Sequence, residues 1–90
     1  MKAWDLLGEV AIARQDYPLA EFAHRAVLRR EPTNVAAWLR LGAVLARQGK
    51  WREARDALQW ATRLDPEATV DPELERYLAA KAAAPTVVRR

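Results

Sequence analysis

Few side chains in this 90-residue chain could carry chemistry, and each can be weighed by its neighbours. His24 is the only histidine. An imidazole can move a proton near neutral pH, but with no Cys and no Ser anywhere it has no such nucleophile to activate. Zinc sites built on His or Cys clusters are excluded on the same count. Asp71, Glu73 and Glu75 bring three carboxylates close in sequence, yet they fall where a helix should begin. Asp71 suits the cap, Pro72 the first helical position, and Glu73 the positive end of the helix dipole. Gly49-Lys50 joins a turn glycine to a cation, but nothing of a phosphate loop surrounds it. These groups lead us to expect no catalytic residue, no cofactor and no metal, and an enzyme is the least supported class.

The remaining chemistry is electrostatic. Fifteen Lys and Arg against twelve Asp and Glu give a net charge of +3 and a pI near 9.8. A nucleic-acid footprint is a concentrated basic stripe. Here residues 1–34 carry five basic and five acidic groups, residues 35–68 six against four, and residues 69–90 four against three. The excess is spread out. Arg25, Arg29 and Arg30 form the densest cluster, with Arg14 near them in sequence only, and a solvated helix face accounts for it. Nucleic-acid binding through arginine-rich helix faces stays as the alternative function. No segment approaches the roughly 20 apolar residues of a bilayer span, and no apolar segment behind Met1 reads as an export signal. The expectation is a cytoplasmic protein with no membrane partner.

A scaffold for these groups emerges when the chain is slid along itself until Trp4 lies over Trp38. Ala3, Leu7, Gly8 and Val10 then fall on Ala37, Leu41, Gly42 and Val44. Further on, Ala20, Ala23, Arg29 and Pro32 fall on Ala54, Ala57, Arg63 and Pro66, and Tyr17 meets Trp51. Each unit parses as two helices. In the second, Trp38, Leu41, Val44 and Leu45 recur at helical spacing and give one apolar face. Asn34 is placed to cap that helix, and Gln48-Gly49 to end it. The next helix runs from about Trp51 with Ala54, Leu58 and Ala61 inward, and stops at Asp65-Pro66. In the first unit Trp4, Leu7 and Ala11 precede a turn at Gln15-Asp16, then Ala20, Ala23 and Val27 lead to a stop at Glu31-Pro32. Gly8 and Gly42 sit inside helices at a cost of about 1 kcal/mol each against Ala. Close approach of the two helices explains them, with Ala20 and Ala54 as the matching small residues.

This pattern resembles the tetratricopeptide repeat, a 34-residue helix–turn–helix with W-x₂-L-G-x₂-Y, then A-x₃-F-x₂-A, then P. The second unit matches through Trp38, Leu41, Gly42, Leu45, Ala54, Leu58, Ala61 and Pro66. The first matches through Trp4, Leu7, Gly8, Ala20, Val27 and Pro32, and departs at Ala11 and His24, where larger apolar residues are the rule. The resemblance implies an all-α fold: a short right-handed α-solenoid with repeats at 1–34 and 35–68. Residues 69–84 do not continue the pattern. Leu74, Tyr77 and Leu78 form a stripe, with Glu73, Arg76 and Lys81 free to face water, as a capping helix requires. Residues 85–90 read as a tail.

In the family, the first helix of each repeat lines a concave surface that binds protein segments. The resemblance therefore implies a non-catalytic interaction module whose partner surface contains Asp5, Glu9, Ile12, Leu39, Ala43, Ala46 and Arg47. Asp5 and Glu9 would repel the C-terminal carboxylate that some family members clamp. The expected partner is instead a helix or extended segment with apolar anchors and a Lys or Arg. Phe22 and Trp60 fall on the outer face of the second helices. They suggest a contact between chains, and hence a homodimer; the alternative is cover for Trp60 from Pro85–Val88 or the capping helix.

Overall fold

Local side-chain chemistry sets the helix limits. The described residues form five helices: α1 (Lys2–Ala13), α2 (Tyr17–Arg30), α3 (Val35–Arg47), α4 (Trp51–Leu64) and α5 (Pro72–Ala83). The computed structural model describes residues 2–83, without the side chains of Lys2, Asp5, Ala82 and Ala83. The 85–90 tail and the concave-face role of the Asp5 side chain thus lie outside the described residues. Asn34 caps α3 by accepting from the Ala37 amide at 3.0 Å, and Asp16 caps α2 by accepting from Leu19 at 3.2 Å. Asp71 accepts from the Glu73 amide at 2.9 Å at the head of α5.

The α1–α2 and α3–α4 turns use the same device at equivalent places in the two units. Gln15 and Gly49 both take positive φ, 60° and 78°. The residue after each then donates its amide back to a helix carbonyl, Asp16 to Ala11 and Lys50 to Leu45. Glycine adopts this conformation without strain, whereas Gln15 carries a β-carbon into it.

Each helix packs on the next, α1 on α2, α2 on α3 and α3 on α4, and α5 rests more lightly on α4 and α3. The result is an all-α stack of hairpins, 47 × 30 × 21 Å. The main core joins Val27 and Leu28 of α2, Leu41 and Leu45 of α3, Ala57 and Leu58 of α4, and Leu78 of α5. A smaller cluster of Ala11, Ala20 and Val44 closes the other side of the α2–α3 junction. The many alanines let helix axes come close.

Two expectations about packing need correction. A β-carbon on Gly42 would lie 2.7 Å from Leu58 Cδ2, and one on Gly8 would lie 2.6 Å from His24 Cε1. The residues that press on the glycines are therefore the equivalent pair His24 and Leu58. Ala54 contributes only its carbonyl oxygen, 3.3 Å from the Gly42 position. His24, which replaces a family leucine, is fully buried at 1% exposure. Trp38 is only half-buried, packing on the rim of the core while its indole N–H donates to the Pro32 carbonyl at 2.9 Å.

Candidate partner-binding surface

The surface is held in shape by polar contacts between α2 and the α3–α4 turn. Glu21, just past the first turn of α2, accepts from Arg25 at 2.8 Å, from Gln48 at 2.7 Å and from Lys50 at 3.1 Å. Arg25 also reaches across to Glu53 at 3.2 Å. Burial by itself would raise the Glu21 pKa. The hydrogen bonds from Arg25, Gln48 and Lys50, with the Arg25 charge, outweigh it and hold the carboxyl at about 2 instead of 4.5. Glu21 is therefore a carboxylate at any physiological pH, tying one hairpin to the next.

Arg47 is fixed in the same way from the other side. It donates to the Tyr17 hydroxyl at 3.1 Å, and its guanidinium carbon sits 5.8 Å from the centre of that ring. Arg47 closes one end of a groove of about 390 Å³ between α3 and α5, where Ala43, Ala46, Leu74 and Tyr77 form the apolar wall and Asp71 and Glu73 the acidic end. Apolar walls with a few convergent charges are the composition of a surface that can seat a peptide segment.

The residues expected on the concave face are not equivalent. Glu9 and Ala43 are exposed, and Ile12 is 39% exposed on α1, away from the α3–α5 groove. Ala46 is 8% exposed and belongs to the core as much as to the groove. Leu39 is half-buried and packs against the core, so it offers less apolar surface than its position in sequence suggests. Tyr77, Leu74, Asp71 and Glu73 join the groove although the sequence pointed to them only as parts of a capping helix. A signal for two of them was present. Tyr77 lies one repeat period after Ala43 and two after Glu9, and Glu73 stands in the same relation to Leu39 and Asp5.

Phe22 and Trp60 are 51% and 48% exposed. Each is partly covered by the signature tryptophan of its own hairpin. Phe22 meets Trp4 edge-on with ring centres 5.5 Å apart, and Trp60 stacks on Trp38 at 5.9 Å. Arg63 adds a cation over the Trp60 ring at 5.6 Å. Among the described residues no three His, Cys, Asp or Glu side chains are grouped to hold a metal. No described helix is long and apolar enough to cross a membrane.

The model of the family described as tetratricopeptide repeat matches residues 11–84, most of the chain and all four helices from α2 onward. The chain is a tetratricopeptide repeat protein. No curated protein matches it. Tetratricopeptide repeats generally mediate protein–protein interaction, and the family is typically non-catalytic. Its helix hairpins account for the paired glycines and for the recurrence of helix, turn and stop from one unit to the next.

Proposed function

We propose that this tetratricopeptide repeat protein is an adaptor that holds a peptide or helix of another protein on its concave side, in and beside the α3–α5 groove. The observation that carries the reading is the groove itself. Ala43, Ala46, Leu74 and Tyr77 present apolar surface, with Asp71 and Glu73 at one end and an Arg47 already engaged by Tyr17. The partner is a segment with an apolar anchor for the Leu74–Tyr77 wall and a Lys or Arg for the acidic end. Glu9 and Ile12 on α1, with Asp5 beside them in sequence, extend the surface for a longer partner. Repeats at 1–34 and 35–68 supply the stack. On this reading α5 is both its C-terminal cap and half of its binding site.

Protein binding is favoured over nucleic-acid binding by where the arginines are spent. Arg25, the centre of the densest basic cluster, is paired with Glu21 and Glu53. Arg52 and Arg63 lie over Trp51 and Trp60. A displayed library of random peptides tests the reading. Selected ligands should share an apolar residue next to Lys or Arg, and Ala43→Arg should abolish their binding while Trp60→Glu preserves it. Selection that yields acidic peptides, or binding untouched by Ala43→Arg, would sink the proposal.

A further inference from the structure

Two open grooves flank α5, and their charges differ. The one against α4, about 580 Å³, has a cation and an anion in its lining, Arg55 and Glu75. The α3–α5 groove is polarised along its length. Lys81 stands over the Tyr77 ring at 5.6 Å, toward the end of α5, and Arg47 lies one repeat period before Lys81. Asp71 and Glu73 stand at the opposite end, at the head of α5. An occupant that enters from the end of α5 therefore meets the apolar wall of Tyr77 and Leu74 first and the two carboxylates last. The sequence that follows α5 is written in that order: Pro85 and Thr86, then Val87 and Val88, then Arg89 and Arg90.

We propose that residues 85–90 of the same chain occupy the α3–α5 groove and compete there with a partner segment. The inference rests on the groove reading above and adds a regulation of that site. Pro85 disfavours helix at Ala84, and the β-branched run Thr86-Val87-Val88 favours an extended backbone. With a return at Pro85, Thr86 is level with Ala83 and the segment runs back along α5. An extended chain advances about 3.3 Å per residue, and α5 rises about 1.5 Å per residue. Val88 then falls about 7 Å back, near Tyr77 at about 9 Å, and Arg90 about 13 Å back, beside Leu74 at about 14 Å. Val88 and Arg90 share one face of an extended chain, so Val88 meets Tyr77 while Arg90 reaches on to Glu73 and Asp71. The same path along α4 would bring Arg90 to a single anion, Glu75, with the like charge of Arg55 in the same lining. Charge thus selects the α3 side. A tether of a few residues sets an effective concentration on the order of mM, so a free Kd of about 1 mM fills the groove in about half of the molecules.

The chain has no cysteine, so Thr86→Cys gives one attachment point for a nitroxide label. In the full chain the label should broaden the amide resonances of Ala43 and Ala46 on α3. Adding Arg90→Glu should restore at least about half of the lost intensity, as should about 1 M salt. Both substitutions lie beyond α5, so the helical circular dichroism spectrum should not change. A capped synthetic peptide of residues 85–90, followed by the Tyr77 amide shift, should bind the Arg90→Glu chain at least about 2-fold more tightly than the wild type. Broadening that is unchanged by Arg90→Glu, or confined to Gln59 and Thr62 on α4, would overturn the inference. So would equal peptide affinity in the two chains. Broadening that grows with chain concentration would overturn it as well, by placing the segment in a neighbouring copy. Library-selected peptides that bind wild type and Arg90→Glu alike sink this inference and leave the groove reading standing. A library that yields no ligand for either chain sinks the groove reading, while the label still reports where the segment lies.

Discussion

Replacing Glu21 with glutamine keeps the shape of the side chain and removes the charge that Arg25 and Lys50 share. Its pKa lies at about 2 in the folded chain against an ordinary 4.5. Depression of this kind means that the carboxylate form stabilises the fold. The contribution is complete above pH 4.5 and is lost as pH falls toward 2. Taken at face value the displacement corresponds to about 3 kcal/mol. Arg25 and Lys50 are each 43% exposed, so solvent and salt screen them, and about 1–2 kcal/mol is the figure to expect. Urea unfolding of the wild type and Glu21→Gln at pH 7 should therefore differ in midpoint by about 1 M, at a slope of about 1–2 kcal/mol per M. The gap should narrow steadily from about pH 4.5 down to about 2.5 and close as pH falls through 2, because the wild-type carboxylate then takes up the proton whose effect the amide imitates. Other carboxylates titrate in both proteins and cancel in the difference. A gap that stays constant down to about pH 2.5, or is absent at pH 7, would refute the role given to Glu21.

Gly42→Ala should destabilise by about 1–2 kcal/mol, as crowding of Leu58 outweighs the better helix propensity of alanine; Leu58→Ala in the same chain should erase that increment in a double-mutant cycle. Gln15→Gly should raise the melting temperature by about 4–8 °C, since it removes roughly 1 kcal/mol of strain at a φ of 60°. Trp38→Ala should cost about 2–3 kcal/mol in urea unfolding, less than a fully buried tryptophan would, because Trp38 is half-buried. Trp60→Glu should cost about 1 kcal/mol, the value of the lost stack on Trp38, and leave the helical circular dichroism spectrum intact.

Much of the fold was legible because helix signals are local. Asn34, Gly49, Pro66 and the Asp71-Pro72 pair act within one turn of where they stand, so the helix limits follow from short stretches of sequence. The depth of a residue is not local. Trp38 looks like core from its spacing, but a residue at the rim and one at the centre share the same period. Only the packed neighbours Pro32 and Trp60 decide between them. The same holds for Gly8 and Gly42, whose neighbours His24 and Leu58 come from a second helix at a crossing angle that spacing does not encode. The ties made by Glu21 escaped for a related reason. Gln48 and Lys50 lie 27 and 29 residues away, and comparing the chain with itself marks no contacts that join one unit to the next.

Anchor positions lose the repeat after Pro66: Pro72 stands where a tryptophan belongs and Glu75 where a leucine belongs. By that test α5 is no repeat helix. Its other positions nonetheless keep step, for the exposed Tyr77 follows Glu9 and Ala43, and the buried Leu78 follows the buried Val44. A helix that forms no hairpin with another described helix can give up the large residues of the hairpin interface. It cannot change the phase with which it faces α3 and α4 without emptying the Leu78 site and tilting Tyr77 out of the groove. Phase is thus the stricter constraint on α5, and it sets Leu74 and Tyr77 along the groove with α3.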